Sequence, residues 1–423
     1  MWELIQSNKR KSLFLFFMMG TFLLVLGYLV GEYYFQGGGP GGVVMASIIW
    51  VIFSLISYFG GSTIMLSVSG AQEVTKKVHP QLFNVVEEMT IAAGLSKMPK
   101  VYIINDASPN AFATGRTPDN SAIAVTAGLL AKCTRDELQG VIAHEMSHIL
   151  NRDVQFMTFA GVLLGTIVIV SELFLRSLWM GGGSRGRYSK KSEGGGQLQI
   201  ILMVVSILFA ILGPIFAQLL YFAISRKREY LADASGVRLT RYPEGLASAL
   251  EKIAGDTAVL QRANKATAGM YIINPLKKQG KAATDLTSTH PPISERIRIL
   301  RGMAAGAGLL DYQMSYSRVK GKSERIIPDS ELNDKEKVEK RTSGKIINPN
   351  GDPKTIQREL GDLMMTVNKY MFLTCICGLK MKIPPEYKKE TIECPKCHHI
   401  NKVPLAELTA AGAILKDEGI AHR

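Results

Sequence analysis

Four long apolar runs constrain this chain more than any other feature: Leu13 to Val30, Val43 to Phe59, Met157 to Leu178 and Leu198 to Ile224. Each is close to the roughly 20 residues a helix needs to cross a bilayer, where backbone polar groups find partners only within the segment. A fold must place such runs in lipid or bury them completely, and 423 residues with 47% hydrophobic content point to lipid. The first two runs carry no charge and read as transmembrane helices. Glu172 and Arg176 interrupt the third, so residues 157–178 and 198–224 read as transmembrane or membrane-dipping helices.

Charge around the runs sets an expected orientation. Lys9, Arg10 and Lys11 precede the first run, Gly31 to Gly42 contains no Lys or Arg, and Lys76 and Lys77 follow the second. No small-residue cleavage site follows the first run, so it reads as a retained anchor. The positive-inside rule then places the N-terminus and everything from about residue 70 in the cytoplasm, as a multi-pass protein of the cytoplasmic membrane. Arg185, Arg187, Lys190 and Lys191 lie between the third and fourth runs, so either this loop breaks the charge rule or the hairpin only dips into the bilayer. A net charge of +14 is accounted for by topology and anionic lipid headgroups, and no nucleic-acid partner is expected.

The polar remainder reads as α+β, mainly helical. "QEVTKKVHPQLFNVVEEMTIAAGL" has helical spacing and ends at Gly94; Val101 to Ile104 reads as a strand leading into a polar loop; "SAIAVTAGLL" reads as a strand or a strand-to-helix passage. Arg226 to Thr240 and Pro243 to Ala254 read as helices, and "THPPISERIRILRGM" as a proline-opened turn into another. The expected organisation is a transmembrane hairpin over 1–69, a main domain over 70–310 interrupted by the two later runs, a charged linker over 311–365, and a Cys-rich module over 366–423.

"VIAHEMSHILNRDV" carries the chemistry. Thr134 and Glu137 form a capping-box pattern that opens the helix. His144 and His148, four residues apart, share a helix face and can direct imidazole nitrogens at one metal ion, with Glu145 turned slightly aside. A catalytic zinc takes three protein ligands and leaves a position for water. "SRKREYLADASG" offers Glu229 as the third ligand, and Asp233, one turn further, as a carboxylate for a ligand histidine's other nitrogen. Zinc would lower the pKa of its water to about 7, and Glu145 would accept the proton. If the helix continued past His148, Met157 would lie about 14 Å beyond it, which tethers the site to the membrane.

Five cysteines divide unevenly. Cys133 stands alone, while Cys375-x-Cys377 and, after sixteen intervening residues, Cys394-x-x-Cys397 resemble a zinc ribbon whose two turns present thiolate pairs to a structural zinc. One residue separates the first pair where two are commoner, so His398 or His399 is an alternative ligand. A second, structural zinc ion is expected there, in a small β unit.

"HEMSHILNRDV", "REYLADASG", "PNAFATG" and "THPPISERI", interleaved with the apolar runs, resemble the HtpX family of membrane-bound zinc metalloproteases over about residues 10 to 305. The resemblance implies a zincin-like domain of gluzincin type: His144, His148 and Glu229 on zinc, Glu145 as catalytic carboxylate, Asp233 in support. It further implies that Asn110, Ala111 and Phe112 lie near an edge strand that holds substrate backbone, and that His290 faces the cleft, with Asn110 or His290 available to the tetrahedral oxyanion. The implied function is ATP-independent cleavage of misfolded or damaged membrane proteins, alone or beside an ATP-dependent membrane protease or other quality-control partner. No phosphate-binding loop of the G-x-x-x-x-G-K-[ST] type occurs in the chain. Two alternatives are a prenyl-protein processing protease and an inactive zinc-binding membrane adaptor. The intact Glu145 argues against the second, because metal retention does not need it.

Overall fold

The computed structural model describes residues 2–34, 37–180, 195–262, 267–275, 290–303, 306–321, 325–332, 338–342 and 353–405. In chain order the elements are α1 (Trp2–Tyr34), α2 (Gly39–Val68), β1 (Ala71–Glu73), α3 (Pro80–Ala92), β2 (Lys100–Ile104), β3 (Ala111–Thr117), β4 (Asn120–Thr126), α4 (Ala127–Lys132), α5 (Arg135–Leu150), α6 (Asp153–Met180), α7 (Gly195–Thr240) and α8 (Pro243–Gly255). There follow α9 (Ile293–Arg301), α10 (Leu309–Lys320), α11 (Asp329–Leu332), α12 (Pro353–Val367), β5 (Met371–Thr374), β6 (Lys380–Ile383), β7 (Thr391–Glu393) and β8 (Ile400–Lys402).

The first two apolar runs form an antiparallel helix pair. Gly20 meets Trp50, Gly27 meets Ala46 and Gly31 meets Gly42, and a Cβ on Gly42 would stand 2.0 Å from the Gly27 carbonyl oxygen. Glycine at that crossing lets the backbones touch. Phe14, Phe17, Val44, Ile48, Ile52 and Phe59 remain exposed on the outside. That apolar surface suits lipid, and Phe16–Tyr34 and Gly39–Val68 are both long and apolar enough to cross a membrane. The third and fourth runs lie on α6 and α7, and α7 continues without a break through Arg226 to Thr240. The basic residues Arg185, Arg187, Lys190 and Lys191 lie outside the described residues.

A four-stranded sheet in the order β1-β2-β4-β3 stands between the membrane helices and the remaining helices. β2 and β4 are parallel; β1 and β3 are antiparallel to their neighbours. The period of two along β4 sends Ile123 and Val125 into the main core with α3, α5 and α8, while Ala122 and Ala124 face Met65 and Leu66 near the end of α2 and Met157 near the start of α6. The sheet thus seats the globular body on the membrane bundle.

Several expectations need correction. The stretch read as one helix from Gln72 begins as strand β1, because Gln72 and Glu73 pair with Ile103 and Tyr102 and the helix starts only at Pro80, capped by His79. The loop after Ile104 includes strand β3, where Ala111 to Thr114 align with Val125 to Ala122. Turn residues such as Pro109, Asn110 and Gly115 mask it in sequence. The signature helix does not run on toward Met157. It ends at Leu150, Arg152 takes φ +58°, and α6 restarts at Asp153. A left-handed non-glycine residue costs about 1–2 kcal/mol, so the packing must impose this break.

The charged stretch 311–365 does not behave as a linker where it is described. Tyr312, Tyr316, Ile326 and Ile327 join the main core, and the Arg341 guanidinium lies 2.8 Å from the Asp136 carboxylate. A few well-placed apolar residues suffice to dock a segment whose outer face is charged. α12 ends with Val367 in the same core, and its Asp362 holds Lys380 and Lys382 of the Cys-rich unit at 2.8 and 3.2 Å. That unit consists of two antiparallel hairpins, β5-β6 and β7-β8, with Met381, Ile383 and Val403 buried between them.

Candidate metal centre

The capping box forms as expected: the Thr134 hydroxyl accepts from the Glu137 amide at 3.3 Å, and the Glu137 carboxylate accepts from the Thr134 amide at 2.7 Å. It opens α5 so that His144 and His148 face α7. Their Nε2 atoms are 3.2 Å apart, and the Glu229 carboxylate lies 3.6 Å from each. A tetrahedral zinc with ligand atoms at about 2.1 Å spaces them about 3.4 Å apart, so the three groups fit one ion. All three come from buried or nearly buried positions. The chain thus brings together residues 81 positions apart without help from any loop.

Each histidine's second nitrogen has a carboxylate partner. Asp233 Oδ1 is 2.9 Å from His144 Nδ1, and Asp153 Oδ2 is 3.2 Å from His148 Nδ1. Such outer contacts fix the ring orientation and raise ligand basicity. Asp233 is held in turn by a fork from fully buried Arg296, whose Nε and Nη2 donate at 2.8 and 2.7 Å. Arg296 Nη1 also donates to the Ile272 carbonyl at 3.2 Å. Arg228 approaches Asp153 at 3.7 Å.

Electrostatics suit a cation. Burial works to raise the Glu229 carboxyl, but His290, His144 and His148 outweigh it and hold it well below the usual carboxylate range. Burial likewise opposes ionisation of Asp233, and Arg296 and His144 overcome it. Burial pulls His144 down, yet Asp233 and Glu229 raise it to about 9, so the pocket favours positive charge. Glu145 differs. Burial pushes its carboxyl above the ordinary value despite His144 and His148, and neither of its buried oxygens accepts a well-formed hydrogen bond.

The remaining candidates fall into separate places. His290 is buried with Nδ1 2.9 Å from Glu229, so it acts on the Glu229 carboxylate. The Asn110 carboxamide brackets the segment beside β3, donating to the Ile273 carbonyl at 2.9 Å and accepting from the Ala111 amide at 3.0 Å. Phe112 is a core residue, edge-on to Tyr271 at 5.0 Å between ring centres. Ala111 opens β3, one of the two edge strands of the sheet, and its carbonyl accepts from the Ile272 amide at 2.9 Å. Sequence reading missed Asp153, Arg228 and Arg296. Arg296 left a signal, since it occupies the apolar stripe Ile293, Ile297, Leu300 of α9, where a charge needs a buried partner.

The four C-terminal cysteines also converge. Cys375 and Cys397 sulfurs are 3.5 Å apart, Cys377 and Cys394 3.6 Å, and all four lie within 4.8 Å of one another. These separations exceed a disulfide and match thiolates about 2.3 Å from one zinc. The Cys377 amide, outweighing burial, holds the Cys375 thiol down to about 6. His398 instead pairs with Glu393 at 2.7 Å.

The model of Peptidase family M48 matches residues 76–304, just over half the chain. The "Protease HtpX homolog" of Dictyoglomus turgidum is 47% identical over 310 residues, covering 73% of this chain and 97% of that protein. Homologs of the same name from Listeria monocytogenes and Streptococcus pneumoniae are each 43% identical, covering 72% of this chain and all of theirs. A crystal structure of Ste24p from S. mikatae aligns with 71% of this chain and 67% of its own at 21% identity, with a TM-score of 0.36. The cysteine unit lies beyond the matched domain. With its zinc-compatible triad and two helices long and apolar enough to cross a membrane, this chain belongs to peptidase family M48, as a membrane metalloprotease related to the HtpX proteases.

Proposed function

We propose that this chain is an ATP-independent endopeptidase that cuts misfolded or damaged membrane proteins on the cytoplasmic side of the membrane, with His144, His148 and Glu229 holding zinc and Glu145 as general base. The observation that carries the reading is Glu145: a buried carboxylate, adjacent in sequence to His144, with the Ala113 amide beside it and no well-formed hydrogen bond from a protein donor. Zinc bound there would supply Lewis acidity and lower the pKa of its water to about 7. A raised Glu145 carboxyl is suited to accept that proton near neutral pH and deliver it to the departing amine. Asp233 and Asp153 keep the histidine rings aimed, and His290 holds Glu229 ionised.

The edge of β3 beyond Ala111 offers backbone groups to an extended substrate, whose main chain would pair as an added strand. Side-chain recognition then matters little, which suits substrates defined by being unfolded. The cytoplasmic assignment rests on Lys9, Arg10 and Lys11 ahead of α1's apolar run and Lys76 and Lys77 after α2. In the C-terminal unit, Cys375, Cys377, Cys394 and Cys397 would hold a second, structural zinc with no open position for chemistry.

The test compares purified, zinc-loaded wild type and Glu145→Gln on an unfolded membrane protein without ATP. Cleavage by wild type, reduced at least about 10²-fold in the variant with zinc retained, supports the reading. Equal cleavage by both, or none by either, overturns it.

A further inference from the structure

The two halves of the metal site are supported by different parts of the molecule. His144 leans on Asp233, and Asp233 on Arg296 of α9, within the globular core. His148 leans on Asp153, the first residue of α6, and Asp153 is approached by Arg228, which follows the apolar run of α7. Both α6 and α7 continue into the third and fourth apolar runs. We propose that Asp153 is a positioning residue for the ligand His148 and that, with Arg228, it ties the metal site to the two helices entering the membrane.

The geometry depends on the break between α5 and α6. Had α5 continued, Asp153 would lie five residues past His148, about 140° around the helix, and could not meet its Nδ1. Instead Asn151 ends the helix, Arg152 takes φ +58°, and the break leaves Asp153 Oδ2 3.2 Å from His148 Nδ1. A strained non-glycine residue beside a functional group marks a conformation the surroundings enforce. Asp153 is 1% exposed and Arg228 2%, so neither is a solvated surface charge. With its Nδ1 held by an anion, His148 presents Nε2 to the metal in one tautomer, as Asp233 does for His144. A shift of α6 or α7 in the bilayer would therefore move a ligand of the metal.

The inference rests on the metal site proposed above, and cobalt binding separates the two. Full-length wild type, Asp153→Asn, Asp153→Ala and Arg228→Gln, stripped of metal and held in detergent, are titrated with Co²⁺. The thiolate site reports through its sulfur charge-transfer absorption in the near ultraviolet and serves as internal reference. The His/Glu site reports through weaker visible bands, read as the difference from a His144→Ala/His148→Ala protein because cobalt thiolate also absorbs in the visible. Expected is a 10–100-fold weaker His/Glu site in Asp153→Ala, with partial rescue in Asp153→Asn, whose oxygen still accepts from Nδ1–H, and a smaller loss in Arg228→Gln. The thiolate site stays unchanged throughout. Cleavage by the zinc-loaded proteins should fall in the same order. Unchanged His/Glu affinity in Asp153→Ala, or Asp153→Asn no better than Ala, overturns the role of Asp153. Absence of that visible difference in wild type overturns the metal site itself.

Discussion

Arg296 offers the sharpest energetic prediction. Its guanidinium is fully buried, donates a fork of 2.8 and 2.7 Å bonds to Asp233, and bonds the Ile272 carbonyl at 3.2 Å. Arg296→Met keeps much of the stem volume but strands the Asp233 anion at 0% exposure. Breaking a buried pair from one side costs about 3–5 kcal/mol, because the remaining charge loses its partner without regaining water. For a body of this size each kcal/mol moves the midpoint by about 2–4 °C, so the variant should melt about 6–20 °C below wild type. Adding Asp233→Asn removes the stranded charge, and the double variant should recover at least about 1 kcal/mol relative to Arg296→Met. Thermal unfolding of the metal-free proteins in detergent, followed by intrinsic fluorescence, measures both. A single variant melting within about 2 °C of wild type, or a double variant no more stable than Arg296→Met, would refute the assignment of Arg296 as the counter-charge that keeps Asp233 ionised.

Three further outcomes follow from local geometry. A Cβ on Gly236 would stand 3.1 Å from the His144 amide nitrogen, so Gly236→Ala should push α7 from α5 and weaken metal binding in the cobalt titration, whereas unchanged binding would mean the helices yield without moving the ligands. His79 caps α3 by accepting from the Leu82 amide at 3.1 Å, and burial lowers its pKa below 6.5, so the unfolded chain takes the proton first and stability falls as pH drops below about 6.5; His79→Asn, which caps without titrating, should flatten that slope, and an unaltered slope contradicts the role. Thr134→Ala removes one arm of the capping box and should cost about 1 kcal/mol by thermal unfolding, a change below about 0.3 kcal/mol counting against it.

What could be read in sequence was local. His144 and His148 announce themselves because helical spacing alone puts them on one face, and the capping box announces where that helix begins. Glu229 and Asp233 are legible as a pair for the same reason, though their meeting with the histidines requires packing of α7 on α5. Asp153 was hidden because its role depends on Arg152 adopting a left-handed conformation, which no periodicity predicts. β1 escaped because three residues, two of them polar, carry no alternation to detect, and β3 because turn-forming residues sit at its start and bulge. The segment from residue 311 looked like a linker since charge dominates its composition, yet Tyr312 and Tyr316, one turn apart, suffice to bury α10.

The central claim is that Glu229 completes a catalytic metal site with the two histidines of α5. Zinc content by elemental mass spectrometry, measured beside cleavage of an unfolded membrane protein, tests it on Glu229→Gln in the full chain. Expected in the variant is one zinc fewer per chain than wild type and no detectable cleavage, with the cysteine-bound zinc retained. Full zinc content together with wild-type cleavage would contradict it.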